Sequence, residues 1–345
     1  MRPTLLAILM TAFAAAPAFA DPCTAAQPQI AMVLRQLDRN EVDAAELALR
    51  AIETAHPDCL ETVLARAQIA AAKGDASQAG NLFVSYFQQA PDDPRGAAYF
   101  ARFLIEQRQY QQADNLSAFA FDKAPNDPSV LAVRGQILVM KGQAQEGTKL
   151  LETACQLDPE NADAQFELGA VYDRAKRPAD AVKHFQKVVA LDPNDARAWD
   201  YLALNLEPLG EIERADQAYR KAMATNSPGW HHDAFVDYNY GRFLMKRNDP
   251  AASKQHLDRA VELTPLLRAP WYERAKLNLR LKNYPQARAD AEKAAGIDDP
   301  GGIIIDLQIY SLLETIYGRL GETELARKYA VLSRDTSVPA RADRR

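Results

Sequence analysis

The chain has 345 residues, with 41 Lys and Arg against 46 Asp and Glu, a formal net charge of −5. That balance argues against bulk nucleic-acid binding through a broad positive surface. Mixed charges and only 15 glycines exclude a disordered polymer, and apolar residues recurring at spacings of three and four, without alternating runs, predict helices rather than strands.

In chain order, the first segment reads as a leader. Met1 and Arg2 open it, an uncharged, largely apolar run over residues 5–16 follows, and Ala18-Phe19-Ala20 forms an A-x-A cleavage pattern. Pro17 interrupts the run and Asp21 ends it, short of the roughly 18–25 apolar residues of a membrane span. Residues 1–20 are therefore expected to be a signal peptide cleaved near Ala20. The mature chain is expected in the periplasm or secreted, without a transmembrane segment. Cys23 does not directly follow the cleavage pattern, so lipid attachment is not expected.

From there the chain has a period of 34 residues. Pro57, Pro91, Pro125, Pro159 and Pro193 mark it, and a small residue precedes each by 12 positions: Ala45, Ala79, Ala113, Gly147 and Ala181. Nine helical hairpins follow, over 26–59, 60–93, 94–127, 128–161, 162–195, 196–229, 234–267, 268–301 and 307–340. Each proline stops one helix and lets the next be capped. Position 8 of a unit is small because another helix crosses there: Ala67, Ala101, Gly135, Gly169, Ala203, Gly241 and Ala275. Near position 15, Gly74, Gly142, Gly210 and Gly321 predict a turn that leaves the helical region cheaply. The expected organisation is a signal peptide over 1–20, a six-repeat array over 21–229, an insert or hinge over 230–233, a three-repeat array over 234–340 and a tail over 341–345.

The fifth unit carries Leu168, Gly169, Tyr172, Ala181, Phe185, Val188 and Pro193; the sixth carries Trp199, Leu202, Ala203, Leu206, Gly210, Ala215, Tyr219 and Ala222. On these residues the chain resembles the tetratricopeptide repeat family across 26–340, most strongly over 94–301. Val33 and Glu314 depart from the small residue at position 8, as end repeats often do. The resemblance implies an all-α, right-handed superhelical solenoid of about nine hairpins. It also implies that first helices line a concave groove and that the groove binds peptides or extended protein segments.

In such a family positions 2, 5, 9, 12 and 13 face the groove. Here they include Phe166 and Arg174 in the fifth unit, Phe235, Tyr238, Arg242 and Lys246 in the seventh, and Tyr272, Lys276 and Arg280 in the eighth. Arg242 with Lys246, and Lys276 with Arg280, are four apart and share a helical face. The basic side chains beside tyrosines make a candidate site for an acidic segment or a C-terminal carboxylate; a solvated face with acidic neighbours is the bland alternative. The family's carboxylate clamp is not reproduced: Tyr238, Arg242 and Glu273 stand at its positions, and for Asn239, at position 6, the preceding unit offers Asp200 and Leu204 instead of the clamp pair.

Trp230-His231-His232-Asp233 is read as a helix-start loop that could act as a hinge; its adjacent histidines lack metal-site spacing. Cys23, before the first helix, and Cys59, at the end of the second, are expected to form a disulfide closing a loop of about 37 residues. Cys155 is read as a buried small hydrophobe. Phosphate-cradling and nucleophile-elbow motifs are absent, so no cofactor and no enzymatic activity are expected. The favoured function is a non-enzymatic adaptor or scaffold in the cell envelope with a protein or peptide partner. The alternative is an extracytoplasmic binding protein for an anionic polymer.

Overall fold

A computed structural model describes residues 23–39, 41–226, 233–299 and 302–337. The expected leader and C-terminal tail lie outside this set, as do Trp230, His231 and His232 of the insert. The described residues form α-helices and one 3-10 turn, with no strand among them.

The helices pair as the 34-residue period requires. The first unit of the structure runs to Ala164. It contains α1 (Gln27–Asp38) with α2 (Val42–Ala55), α3 (Glu61–Ala72) with α4 (Ala76–Gln89), α5 (Pro94–Glu106) with α6 (Tyr110–Lys123), and α7 (Pro128–Met140) with α8 (Ala144–Leu157). The second begins at Gln165, within α9 (Ala162–Arg174). It continues through α10 (Pro178–Leu191), α11 (Ala196–Leu206), the 3-10 turn Glu207–Leu209, α12 (Ile212–Thr225), α13 (Ala234–Lys246) and α14 (Pro250–Leu263). It closes with α15 (Arg268–Arg280), α16 (Tyr284–Ala295), α17 (Asp306–Leu320) and α18 (Thr323–Ser337).

The compact units divide at Ala164/Gln165, whereas the sequence divides the array at the insert. The second unit's core explains this, because one cluster runs from Phe166 and Phe185 through Tyr219 to Tyr240, Phe243 and Leu244, on both sides of the insert. The insert's flanks are also tied: Asn226 Nδ2 donates to the Asp233 carbonyl at 2.8 Å, and the Asp233 N–H donates to Asn226 Oδ1 at 2.9 Å.

The small position 8 is a helix crossing. A Cβ on Gly135 would stand 2.8 Å from Leu151 Cγ, one on Gly169 2.9 Å from Phe185 Cε1, and one on Gly241 2.9 Å from Leu257 Cγ. Ala67, Ala101, Ala203 and Ala275 are fully buried at equivalent places. Val33 is buried too, so the first hairpin accommodates a larger side chain at its crossing. Glu314 is exposed, while Leu313 beside it is fully buried. α17 starts at Asp306, one residue ahead of the expected 307, while Gly321 keeps the left-handed place of position 15.

Cys59 lies elsewhere than expected. α2 stops at Ala55, since Pro57 disfavours helical backbone at His56, and Cys59 sits in the link just ahead of α3. Cys23 and Cys59 are both buried, with their sulfurs at bonding distance and their Cα atoms 4.7 Å apart. The pair therefore ties the N-terminal end of α1 to that of α3, two successive first helices, rather than the two ends of one hairpin.

Candidate functional site

In the second unit the expected groove residues divide by environment. Tyr238 is buried, and that burial, with Glu273 nearby, pushes its hydroxyl up to about 12. Phe166 is buried between Phe185 and Tyr201, with the Arg197 guanidinium 4.0 Å above its ring centre. Phe235 is 45% exposed and meets Tyr238 edge-on; Arg174 is exposed; Tyr272 is half-buried. The basic side chains already have partners. Glu207 accepts from Arg242 Nη2 at 3.3 Å, Lys246 Nζ at 2.7 Å and the Tyr219 hydroxyl at 2.6 Å. Glu273 accepts from Lys276 at 2.8 Å. Arg280 donates to the Met245 carbonyl at 2.7 Å and to Asn248 Oδ1 at 2.6 Å. The like charges within each basic pair are thus offset by carboxylates and carbonyls of the chain itself. Glu207, Arg242 and Lys246 also line a cavity of about 570 Å³ with Leu204 and Phe243.

Asp200 and Asn239 are joined directly, Asn239 Nδ2 donating to Asp200 Oδ2 at 2.7 Å. Burial pushes the Asp200 carboxyl well above the usual carboxylate range, and its Oδ1 accepts no hydrogen bond.

The larger cavity lies in the first unit, about 750 Å³, at places sequence reasoning passed over. Its walls are mainly first helices: Ile30 and Leu34 from α1, Leu64 and Gln68 from α3, Tyr99 from α5, with Leu60 from the link before α3 and Tyr86 from α4. Ile30, Leu34, Leu64 and Gln68 occupy positions 5 and 9 of the first two repeats, so the same register that selected Tyr238 and Arg242 also points here. No charge pattern marks it, because this stretch is mostly apolar. Three further polar groups at this cavity are already engaged. Arg95 Nε donates to Asp127 at 2.7 Å, the Tyr86 hydroxyl donates to Asp93 at 2.7 Å, and Asp93 caps α5.

Cys23, Cys59 and Glu61 bring three metal-type ligand atoms together, but two sulfurs at bonding distance leave no room for an ion between them. His184 Nδ1 is 2.7 Å from Gln165 Oε1, and His256 Nδ1 is 2.9 Å from Asp237 Oδ1. Cys155 is buried in α8, as expected for a packed thiol. No helix among the described residues is long and apolar enough to cross a membrane.

Comparison with known proteins agrees with this architecture. Sequence models described as tetratricopeptide repeat match residues 70–137 and 138–204, and 30–94 and 238–302. A search of curated proteins found no match. Among solved structures, the APC/C hetero-tetramer Cut9-Hcn1 aligns with a TM-score of 0.71 at 14% identity, over 84% of this chain and 55% of that one. This chain thus spans about half the length of that relative. A human IFIT1 dimer with PPP-AAAA gives 0.54 at 16% identity, over 87% and 69%. PilW, described as a widely conserved type IV pilus biogenesis factor, gives 0.54 at 18% identity, over 62% and 95%. At these identities the likeness is one of fold. With the repeat pattern, the hairpin packing and the matched sequence models together, the chain belongs to the tetratricopeptide repeat family.

Proposed function

We infer that this protein is a non-enzymatic adaptor that holds a segment of another protein against the first helices of its repeats, in a bacterial cell envelope. The observation that carries this reading is the 750 Å³ cavity, whose walls come mainly from three successive first helices, so that only the stacked array makes the site. Its volume falls in the range of about 300–1,000 Å³ typical of ligand pockets. The envelope location is supported by the leader pattern of residues 1–20 and by the Cys23–Cys59 pair, which as a disulfide suits an oxidising compartment. The basic-aromatic patch of the second unit supports an acidic or polymeric partner less well, since such a ligand must compete with Glu207 and Glu273 for the same cations.

The test is a crosslinked pull-down with the chain from Asp21 onward as bait, in envelope extract at physiological salt. One dominant protein crosslinked to first-helix residues is the expected result. No reproducible protein partner with a folded helical bait would overturn the adaptor reading. N-terminal sequencing of the exported chain should return Asp21; an intact Met1 would remove the envelope assignment.

A further inference from the structure

The cavity of the first three repeats has a chemistry of its own. Gln68 is 7% exposed, and its Nε2 has no hydrogen-bond partner. Its orientation is set by the neighbouring guanidinium: Arg102 Nη2 donates to Gln68 Oε1 at 3.4 Å, so the carbonyl end faces Arg102 and the buried amide nitrogen is the unmatched end. A buried donor left unmatched costs free energy that a matching acceptor recovers. The charges around it are already answered. Arg102 pairs with Asp163, Arg95 with Asp127, and Glu61 sits in the first turn of α3, where the helix's amide end offsets negative charge. An ionic ligand would find few unpaired charges here, while a neutral acceptor would find one unmatched N–H among apolar walls.

We propose that this cavity takes an uncharged, extended peptide segment that seats an aliphatic or aromatic side chain against Ile30, Leu34, Leu64 and Tyr99 and offers a backbone carbonyl to Gln68 Nε2. The proposal rests on the adaptor reading and deepens it, giving the partner segment a stated chemistry at the apolar cavity of the first unit. The site is braced as well as lined. The Cys23–Cys59 pair joins the starts of α1 and α3, which are two of its walls. A fixed wall spacing lowers the ordering cost of binding.

The test is a random dodecapeptide library displayed on phage, panned against the full mature chain, with selected peptides then measured by fluorescence anisotropy. The selected set should be rich in Leu, Ile, Val and Phe and poor in charge. Leu34→Glu should weaken a selected peptide more than tenfold. Gln68→Leu should weaken it about two- to tenfold, the loss of one neutral hydrogen bond. Arg242→Glu, in the other unit, should leave it within twofold. Leu34 is only half-buried, and Ala31→Arg, a second wall substitution, repeats the test should Leu34→Glu lower the helical content. Acidic peptides that are lost with Arg242→Glu and indifferent to Leu34→Glu would overturn this site while keeping the adaptor. A library yielding no binder at either site would overturn both.

Discussion

Lys282 lies at position 15 of its repeat with a φ of +61°, and Arg108, Lys176 and Asn248 hold the same left-handed place in theirs. Gly74, Gly142, Gly210 and Gly321 serve it elsewhere. The turn geometry is thus common to the repeats, and the non-glycine residues adopt it at a cost of roughly 1–2 kcal/mol each. Lys282 is exposed, so Lys282→Gly should stabilise the protein by about 0.5–1 kcal/mol after the extra chain entropy of glycine is counted. A urea midpoint at or below that of the parent would contradict this. Asp200 makes the opposite kind of point. Its folded carboxyl holds its proton to higher pH than an unfolded aspartate does. The native state therefore binds more protons, and stability falls as pH rises above the unfolded value of about 3.9 towards the folded one. Asp200→Asn should remove that fall and leave the variant more stable than the parent at neutral pH. Parallel stability-pH curves for the two proteins would rule the explanation out.

At the scale of the helix, the repeated dipeptide Asp-Pro has two roles. Asp93, Asp127 and Asp249 cap the helices that begin with Pro94, Pro128 and Pro250, accepting from backbone N–H groups of the first turn. Asp158 and Asp192 instead follow the last residues of α8 and α10, where the proline forbids another turn. The dipeptide is the same; only the hairpin's phase tells start from stop. The crossings are equally constrained. Gly169→Leu drives a side chain into Phe185 and should cost about 1–3 kcal/mol or more by overpacking, read as a lowered thermal midpoint with helicity retained below it. An unchanged midpoint would place the α9–α10 crossing elsewhere.

For the whole molecule, stability in a repeat array is a sum of hairpin terms and neighbour interfaces, so an end hairpin is the weakest place. The first described hairpin has its own small core around Val33, Leu49 and Ile52, and the Cys23–Cys59 pair closes it onto α3. In the chain-entropy picture a loop of this size is worth about 4 kcal/mol. Cys59→Ser should therefore open the first hairpin well before the rest melts, seen as hydrogen exchange confined at first to residues 23–72. Exchange identical to that of the parent would show that the covalent link does not form. Loss of the link should also weaken ligands of the neighbouring cavity, whose walls it holds.

The period, the hairpin boundaries and the small crossing positions were legible in the residues because each reflects local physics: proline stops, caps, and side-chain volume at a repeated contact. Cys23 and Cys59 do come close, but not by the expected route, since proline places Cys59 ahead of α3 rather than at the end of α2. The candidate site was only half legible. Position within the repeat selected Tyr238, Arg242, Lys246, Lys276 and Arg280 as candidate groove residues, but nothing local to them announces Glu207, which lies 35 residues before Arg242 and answers its charge. The apolar cavity was hidden in the same way, since its walls come from three repeats and its unmatched donor is defined by Arg102, 34 residues beyond Gln68. Sequence alone determined which residues lie on the first-helix face, because helical phase is a local property. The tertiary structure decided which of them remain unsatisfied, because that depends on partners brought from neighbouring repeats.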